Sequence, residues 1–552
     1  MARGLIRTAA LAAGALLVGH STYYHGFFAQ AQADLDQQLE QVLKGIRFTG
    51  RTDESLERRL GRPVSGGIVE IGKFLFFDKI QGLHGDNSCA GCHAPAAGFG
   101  GFESIAIGVD NNDVVGPNRK GPRNQRRTPM VLNNAFYPKL MWNGRFFAPS
   151  GDPFDNSQGF AFPNPEGTHT FPADDPNIKI LLAAQGHIPG TELPELAGFT
   201  GITGTFFATQ RFFATRSSPQ LLSTNTAAPA VKPVFELFPA GGAQVLSAPS
   251  PGEPDYAQFD DGHGVPIPAP EADGTRNVPI RAMIEERIND IQAYRDLFAK
   301  HYPEVAEGKP ITFAMIGQAL SEFQVSLTFA DAPIDRFARG DHSAMTAEQK
   351  RGALLFFGKA RCSTCHTTAG QSNEMFSDFE MHNVGVPQIA PKFGKGTGNV
   401  AFRNADGDFK IDGVYDFGLA DIRDPPNEGD RFKFRTSPLR NLHLQHTFFH
   451  NGSYTRLEDA IRDHLDPISA ARSYDPAAAG VADDLHTLAP MDLVLKNLDP
   501  LIREPIELNE QEFGDLVSFV RDGLADPAAT PEELMKLKPD SVPSGLPLQT
   551  FE

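Results

Sequence analysis

The sequence predicts a mainly α protein built from two related domains. Three observations lead there. Apolar residues recur at steps of three and four, alternating strand patterns are sparse, and one ordered set of short motifs occurs twice. The length of 552 residues agrees, since ordinary domains hold roughly 100–200 residues each.

The N-terminus reads as an export signal. Arg3 and Arg7 give it positive charge, Thr8 to Gly19 is apolar, and Ala29-Gln-Ala31 and Ala31-Gln-Ala33 offer small-x-small cleavage sites. Residues 1–33 are therefore expected to be a signal peptide and the protein to be periplasmic. The apolar run is short for a membrane span, so membrane attachment is expected only if this segment stays uncleaved. Residues 34–333 are expected to form the N-terminal domain and residues 334–552 the C-terminal domain with a tail.

The duplication sets that division. Gly72-Lys-Phe-Leu-Phe-Phe77 precedes Cys89-Ala-Gly-Cys92-His93, and Gly352-Ala-Leu-Leu-Phe-Phe357 precedes Cys362-Ser-Thr-Cys365-His366. Arg127-Thr-Pro-Met-Val-Leu-Asn133 and Trp142-Asn-Gly144 follow in the first copy. Arg435-Thr-Ser-Pro-Leu-Arg-Asn441 and His450-Asn-Gly452 follow in the second. The step from Asn133 to Asn143 equals that from Asn441 to Asn451.

Between and after the copies lie helices. Phe313, Ile316, Leu320, Phe323 and Leu327 share one helical face, Thr346 with Gln349 forms a capping box, and Leu457, Ala460, Ile461 and His464 share another face. Two stretches rich in Pro, Gly and polar residues, near 146–176 and 201–275, read as long surface insertions in the first domain.

All four cysteines of the chain sit in C-x-x-C-H, which leaves none for a disulfide framework. In this motif the thiols add to haem vinyl groups and the adjacent histidine becomes an axial iron ligand. A redox dithiol does not need that histidine, and a zinc site would need both halves on one ion. Two covalent haems c follow, on Cys89 and Cys92 and on Cys362 and Cys365, with His93 and His366 as proximal ligands. The fold expected is thus two cytochrome c-like haem domains with the haem pair at their interface. A net charge of -18 argues against nucleic acid and fits a solvated surface or attraction to a basic partner.

Several motifs resemble the bacterial dihaem cytochrome c peroxidase family, which includes the dihaem enzyme that matures a tryptophylquinone cofactor. In the first half they are Leu75-Phe-Phe-Asp78, Arg127-Thr-Pro129 and Met141-Trp-Asn-Gly-Arg145. In the second they are Asp335-Arg-Phe337 with Gly340-Asp341, Pro438-Leu-Arg-Asn441 and His450-Asn-Gly452. The likeness runs from about Gly66 to Asp522 apart from the insertions. It implies hydrogen peroxide reduction at the first haem and electron uptake at the second, from a small periplasmic donor such as a cytochrome c or cupredoxin. It implies an electron relay through Trp142, whose bland alternative is an aromatic filler. It places a Gln and a Glu over the first haem. Gln185 and Glu195 match best, Gln158 and Glu166 less well. His187 stands nearby as a distal base or a sixth ligand, with a surface histidine as the alternative. The family loop that carries a removable histidine ligand has Val109 here, so the first haem is expected to be open at rest. His464 falls where relatives place the second haem's distal ligand. Arg440 is expected to meet a haem propionate. The resemblance also suggests a calcium ion near the turn Asn124-Gln-Arg-Arg-Thr128, and leaves a homodimer open. Two other functions stay in view: a dihaem oxidase or oxygenase acting on a protein or large organic molecule, and a plain electron-transfer cytochrome.

Overall fold

A computed structural model describes residues 33–109, 111–121, 123–124, 126–161, 170–197, 277–390, 416–422 and 427–552. Residues 1–32 of the segment read as an export signal, the insertion 201–275 and Glu166 lie outside these described residues.

The architecture is mainly helical. The helices that position the sites are α1 (residues 33–45), α2 (Gly66–Phe77), α3 (Leu181–Gln185), α4 (Phe313–Ser326), α5 (Ala347–Phe357), α6 (Leu457–Leu465) and α7 (Glu510–Ser518). The named strands are two-residue pieces. The apolar stripe of α4 is buried at Phe313, Ile316, Leu320 and Phe323, as its spacing predicts. The capping box of α5 forms in both directions, with Thr346 N donating to Gln349 Oε1 at 3.0 Å and Gln349 N donating to Thr346 Oγ1 at 3.2 Å.

The duplication extends into packing. In each copy the helix before the C-x-x-C-H motif crosses a later helix: α2 on α4, and α5 on α7. The glycine that opens each duplicated motif lies at the crossing. A Cβ at Gly72 would stand 1.8 Å from the Ala319 carbonyl oxygen, and one at Gly352 would stand 2.0 Å from that of Asp515. Only glycine allows such an approach. The repeated asparagines are also alike. Asn133 and Asn441 both take left-handed backbone (φ 64° and 61°). Each donates its N–H to a carbonyl just past the crossing helix, Leu327 and Leu524, at 3.0 Å. Both side-chain amides donate to the Phe329 carbonyl, at 2.8 and 2.9 Å, so the copies meet there.

The chain termini depart from the expected division at residue 333. Leu39 and Leu43 of α1 lie in the core of the second copy, with Phe356 and Phe519. Leu534 and Val542 of the tail lie in the core of the first, and Phe551 packs against it. Ser544 Oγ donates to Asp78 Oδ1 at 2.7 Å, Ser88 Oγ donates to Gln549 Oε1 at 2.9 Å, and Thr550–Phe551 pairs with Val114–Val115. Apolar faces at both ends of the chain are thus buried on the opposite copy, a distribution that sequence order does not carry.

The stretch near 146–176 is also more than a loop. Lys139–Leu140, Phe146–Phe147, Phe160–Ala161 and Thr170–Phe171 form an antiparallel four-stranded sheet. Its buried Phe146, Phe160 and Phe171 join a third core with Leu181 and Leu182 of α3. This sheet supports the segment that carries Gln185 and Glu195. Among the described residues no helix is long and apolar enough to cross a membrane.

Candidate haem sites

Each C-x-x-C-H motif folds into one tight turn. His93 N donates to Cys89 O at 2.8 Å, and His366 N donates to Cys362 O at 2.9 Å. The turn brings both cysteines and the histidine to one cavity wall. The four cysteines form no disulfide. Both histidine rings are oriented in the same way. His93 Nδ1 lies 2.9 Å from Phe99 O, and His366 Nδ1 lies 2.9 Å from Phe376 O. A carbonyl can only accept, so Nδ1 carries the proton and Nε2 is left with its lone pair. Burial lowers His93 and pushes His366 down to about 4, so both rings are neutral, the form that binds a metal.

Two cavities open beside these motifs, with about 1490 and 1390 Å³ of empty space including their mouths. Cys89, Cys92 and His93 line the first, and Cys362, Cys365 and His366 line the second. The donor sets fit covalent haem.

The cavities differ in what else they present. In the second, His464 of α6 stands opposite His366 with ring centroids 6.3 Å apart. Two imidazoles each about 2.0–2.1 Å from a shared metal would have centroids roughly 6.2–6.4 Å apart, with a ring nitrogen about 1.1 Å from the centroid. His464 Nδ1 is 2.9 Å from Ala460 O, which again leaves Nε2 free to ligate, and Phe449 stacks on the ring. In the first cavity His93 is the only histidine among the described lining residues. Its wall carries Gln185, Glu192, Glu195 and Arg145. Burial first, then Glu192, pushes Glu195 up to about 7 against the pull of Arg145. Asn87 Nδ2 donates to the Glu195 carbonyl at 2.8 Å, and Arg145 lies 3.8 Å from Glu192. Glu192, at 3% exposure, was not singled out in the sequence. A carboxylate three residues before Glu195 in a helical turn was the available signal. Gln158 is exposed and does not line the cavity.

Trp142 stands in the wall between the cavities and lines both, together with Arg127 and Arg435. Its Nε1 donates to Arg127 O at 2.8 Å, and its carbonyl accepts from Arg435 N at 2.7 Å.

Two expectations are corrected. Arg440 does not face either cavity. Its guanidinium makes a fully buried bidentate pair with Asp335, at 2.6 and 2.8 Å, which uses the charge that a propionate would need. His187 is no distal group. It is buried outside the first cavity, with its ring between Phe171 and Phe313 and Nδ1 at 2.8 Å from Ala183 O. The apolar sheet draws it away from the wall. Asn124, in the turn where calcium was expected, lines the first cavity. Among the described residues the one grouping of three metal-type donors is Cys365, Asp378 and His382, and its cysteine belongs to the haem motif. Val109 lies in the first core and not in the cavity wall.

The pattern of the di-haem cytochrome c peroxidase family matches residues 67–189 and 197–343. Methylamine utilization protein MauG of Methylorubrum extorquens is 24% identical over 501 residues, covering 91% of this chain and 90% of its own. Cytochrome-c peroxidase IdrP1 of Denitromonas iodatirespirans is 27% identical over 83% of this chain and 81% of that protein. Cytochrome c551 peroxidase of Pseudomonas aeruginosa is 26% identical over 32% of this chain and 44% of its own. The solved diheme peroxidase BthA of Burkholderia thailandensis aligns over 88% of this chain and 91% of that one, with a TM-score of 0.46 and 18% identity. The chain belongs to the dihaem cytochrome c peroxidase family that includes the MauG proteins.

Proposed function

We propose that this protein reduces hydrogen peroxide to water at its first haem, with electrons taken up at the second from a small cytochrome c or cupredoxin. The observation that carries this reading is the asymmetry of the two cavities. One pairs His366 with His464, and the other sets His93 opposite a wall of Gln185, Glu192 and Glu195. We assign His464 as the second haem's distal ligand. Haem iron supplies the redox centre in each cavity, and an iron with two protein ligands carries electrons while one with an open face takes an oxidant.

The chain's own part is proton supply, orientation and electron routing. Reduction of one peroxide consumes two electrons and two protons and gives two waters. With its carboxyl near 7, Glu195 still holds a proton in much of the population at neutral pH and can pass it to a departing oxygen. Burial and the neighbouring Glu192 keep the proton on Glu195, and Arg145, 3.8 Å from Glu192, offsets part of that rise. Gln185, at the end of α3, offers an amide to a bound peroxide. Trp142, in contact with both cavities, is the route between them. The composition of the N-terminal segment, charged and then apolar before small-x-small sites, supports the periplasm as the place of this chemistry.

Mixing oxidised protein with peroxide tests the open site. The Soret band is expected to shift before any electron is added, and reduced cytochrome c is then expected to sustain turnover. A first haem that stays low-spin and inert would leave only an electron-transfer cytochrome. A reactive haem that no small donor serves would favour the oxidase acting on a protein or large organic substrate.

A further inference from the structure

Arg127 and Arg435 occupy the duplicated Arg-Thr turns, and each is only 5% exposed. A buried guanidinium is costly unless an anion or a full set of acceptors meets it. Arg126, Arg351 and Arg440 each hold a carboxylate, Asp416, Asp515 and Asp335. Buried Arg119 holds four neutral acceptors instead.

Arg127 and Arg435 have neither arrangement. Arg127 donates from Nε to Phe449 O at 2.9 Å and from Nη1 to Gln445 Oε1 at 2.6 Å. Arg435 donates from Nε to Met141 O at 3.1 Å and from Nη1 to Thr436 O at 3.1 Å. Among the described residues neither pairs with a carboxylate, and Nη2 of each makes no hydrogen bond. Burial alone pushes Arg127 down to about 9, and burial outweighs Tyr137 to bring Arg435 to about 10, the direction of cations waiting for an anion. Both side chains line both cavities, on either side of Trp142. The missing anion must therefore enter with what fills the cavities, and haem carries carboxylates.

We infer that Arg127 and Arg435 form one guanidinium pair that binds the propionates of both haems across Trp142. The two haems then share a counter-charge. A positive charge beside a haem favours its reduced form, because reduction adds negative charge, so loss of either arginine must lower both potentials.

The experiment is a spectroelectrochemical titration of the Arg127→Gln and Arg435→Gln holoproteins, with haem content measured alongside. Both midpoint potentials are expected to fall in each variant while two covalent haems remain. Two unchanged potentials would overturn the inference, and movement of a single haem in each variant would overturn the sharing. Should the glutamine variants fail to accumulate, Arg127→Lys and Arg435→Lys keep the charge and lose the forked donor. Their resonance Raman propionate bands are expected to shift in both haems, and bands like the wild type's would overturn the assignment. No peroxide is needed in either measurement, so a failed peroxidase reading and a failed propionate assignment give different results.

Discussion

Around His93 the rings of Phe76, Phe99 and Phe323 close on one another at 5.2–5.8 Å. Around His366, Phe356 meets Phe376 and Phe519 at 5.9 and 5.4 Å. Phe99 and Phe376, whose carbonyls orient the two histidines, both take positive φ. The proximal halves of the two sites are thus one design used twice, down to a strained backbone position. The distal halves share nothing comparable. Helix α6 delivers His464 to one, and the segment after α3 delivers Gln185, Glu192 and Glu195 to the other. Covalent attachment fixes the proximal side in the same way in both copies. The opposite face is free to diverge, and the proposed division into a ligated carrier and an open reaction site rests on that difference.

The most drastic way to break the comparison is to remove one member. Replacing Cys362 and Cys365 together with Ala should leave one covalent haem after acid–acetone extraction, against two in the parent, and should abolish turnover with a reduced donor. Retention of two would mean that the haem-to-motif assignment is mistaken.

The next effect separates the distal faces. Glu195→Gln should lower peroxide turnover by roughly 10²–10⁴-fold, the usual contribution of a general acid. The carboxyl sits near 7, so the acid form is present below that pH and is lost as pH rises through it. Wild-type activity should therefore fall on the alkaline side of about 7, and the variant should lack that limb. A variant that keeps the limb would assign the titration elsewhere. The spectrum of the second haem should not change.

A smaller, local effect tests the other face. His464→Ala should convert the second haem alone from low to high spin, and the wild type should show no thioether-to-iron band. Such a band would point to a methionine ligand instead.

Legibility in the sequence follows the same line between shared and divergent halves. The C-x-x-C-H motifs, the glycines at the helix crossings and the paired asparagines are local patterns repeated in order, so they could be read directly. The placement of His464 on the wall of the second cavity was legible because it shares an apolar helical face. Arg440 was misread because its partner, Asp335, lies 105 residues away and nothing local marks the pair. His187 was misread because the sheet that buries it looked like a loop. The tail's hold on Ser88 and Asp78 spans more than 460 positions and leaves no periodic trace. Contacts of that range belong to tertiary packing, which propensity and spacing do not encode.

The smallest expected effect lies at the wall between the sites. Trp142 and His450 hold equivalent places in the two copies, but only Trp142 lines both cavities. His450 stacks on Phe434 at 3.5 Å, and burial pushes it down to about 3, so it is a neutral ring beside the second cavity alone. Trp142 is the only tryptophan in the chain, and the Arg127 guanidinium lies 5.0 Å from its ring centre. Trp142→Phe keeps an aromatic ring in the wall but removes the N–H that satisfies Arg127 O. The stability cost should be about 0.5–1.5 kcal/mol, the worth of one such hydrogen bond. Both haems should remain attached. Electron transfer from the reduced second haem to the first should slow, by less than the loss at Glu195, because the ring is replaced and not deleted. His450→Phe should leave that rate unchanged. Stopped-flow reoxidation of the second haem by peroxide measures both variants, and equal rates in Trp142→Phe and the parent would reduce Trp142 to packing.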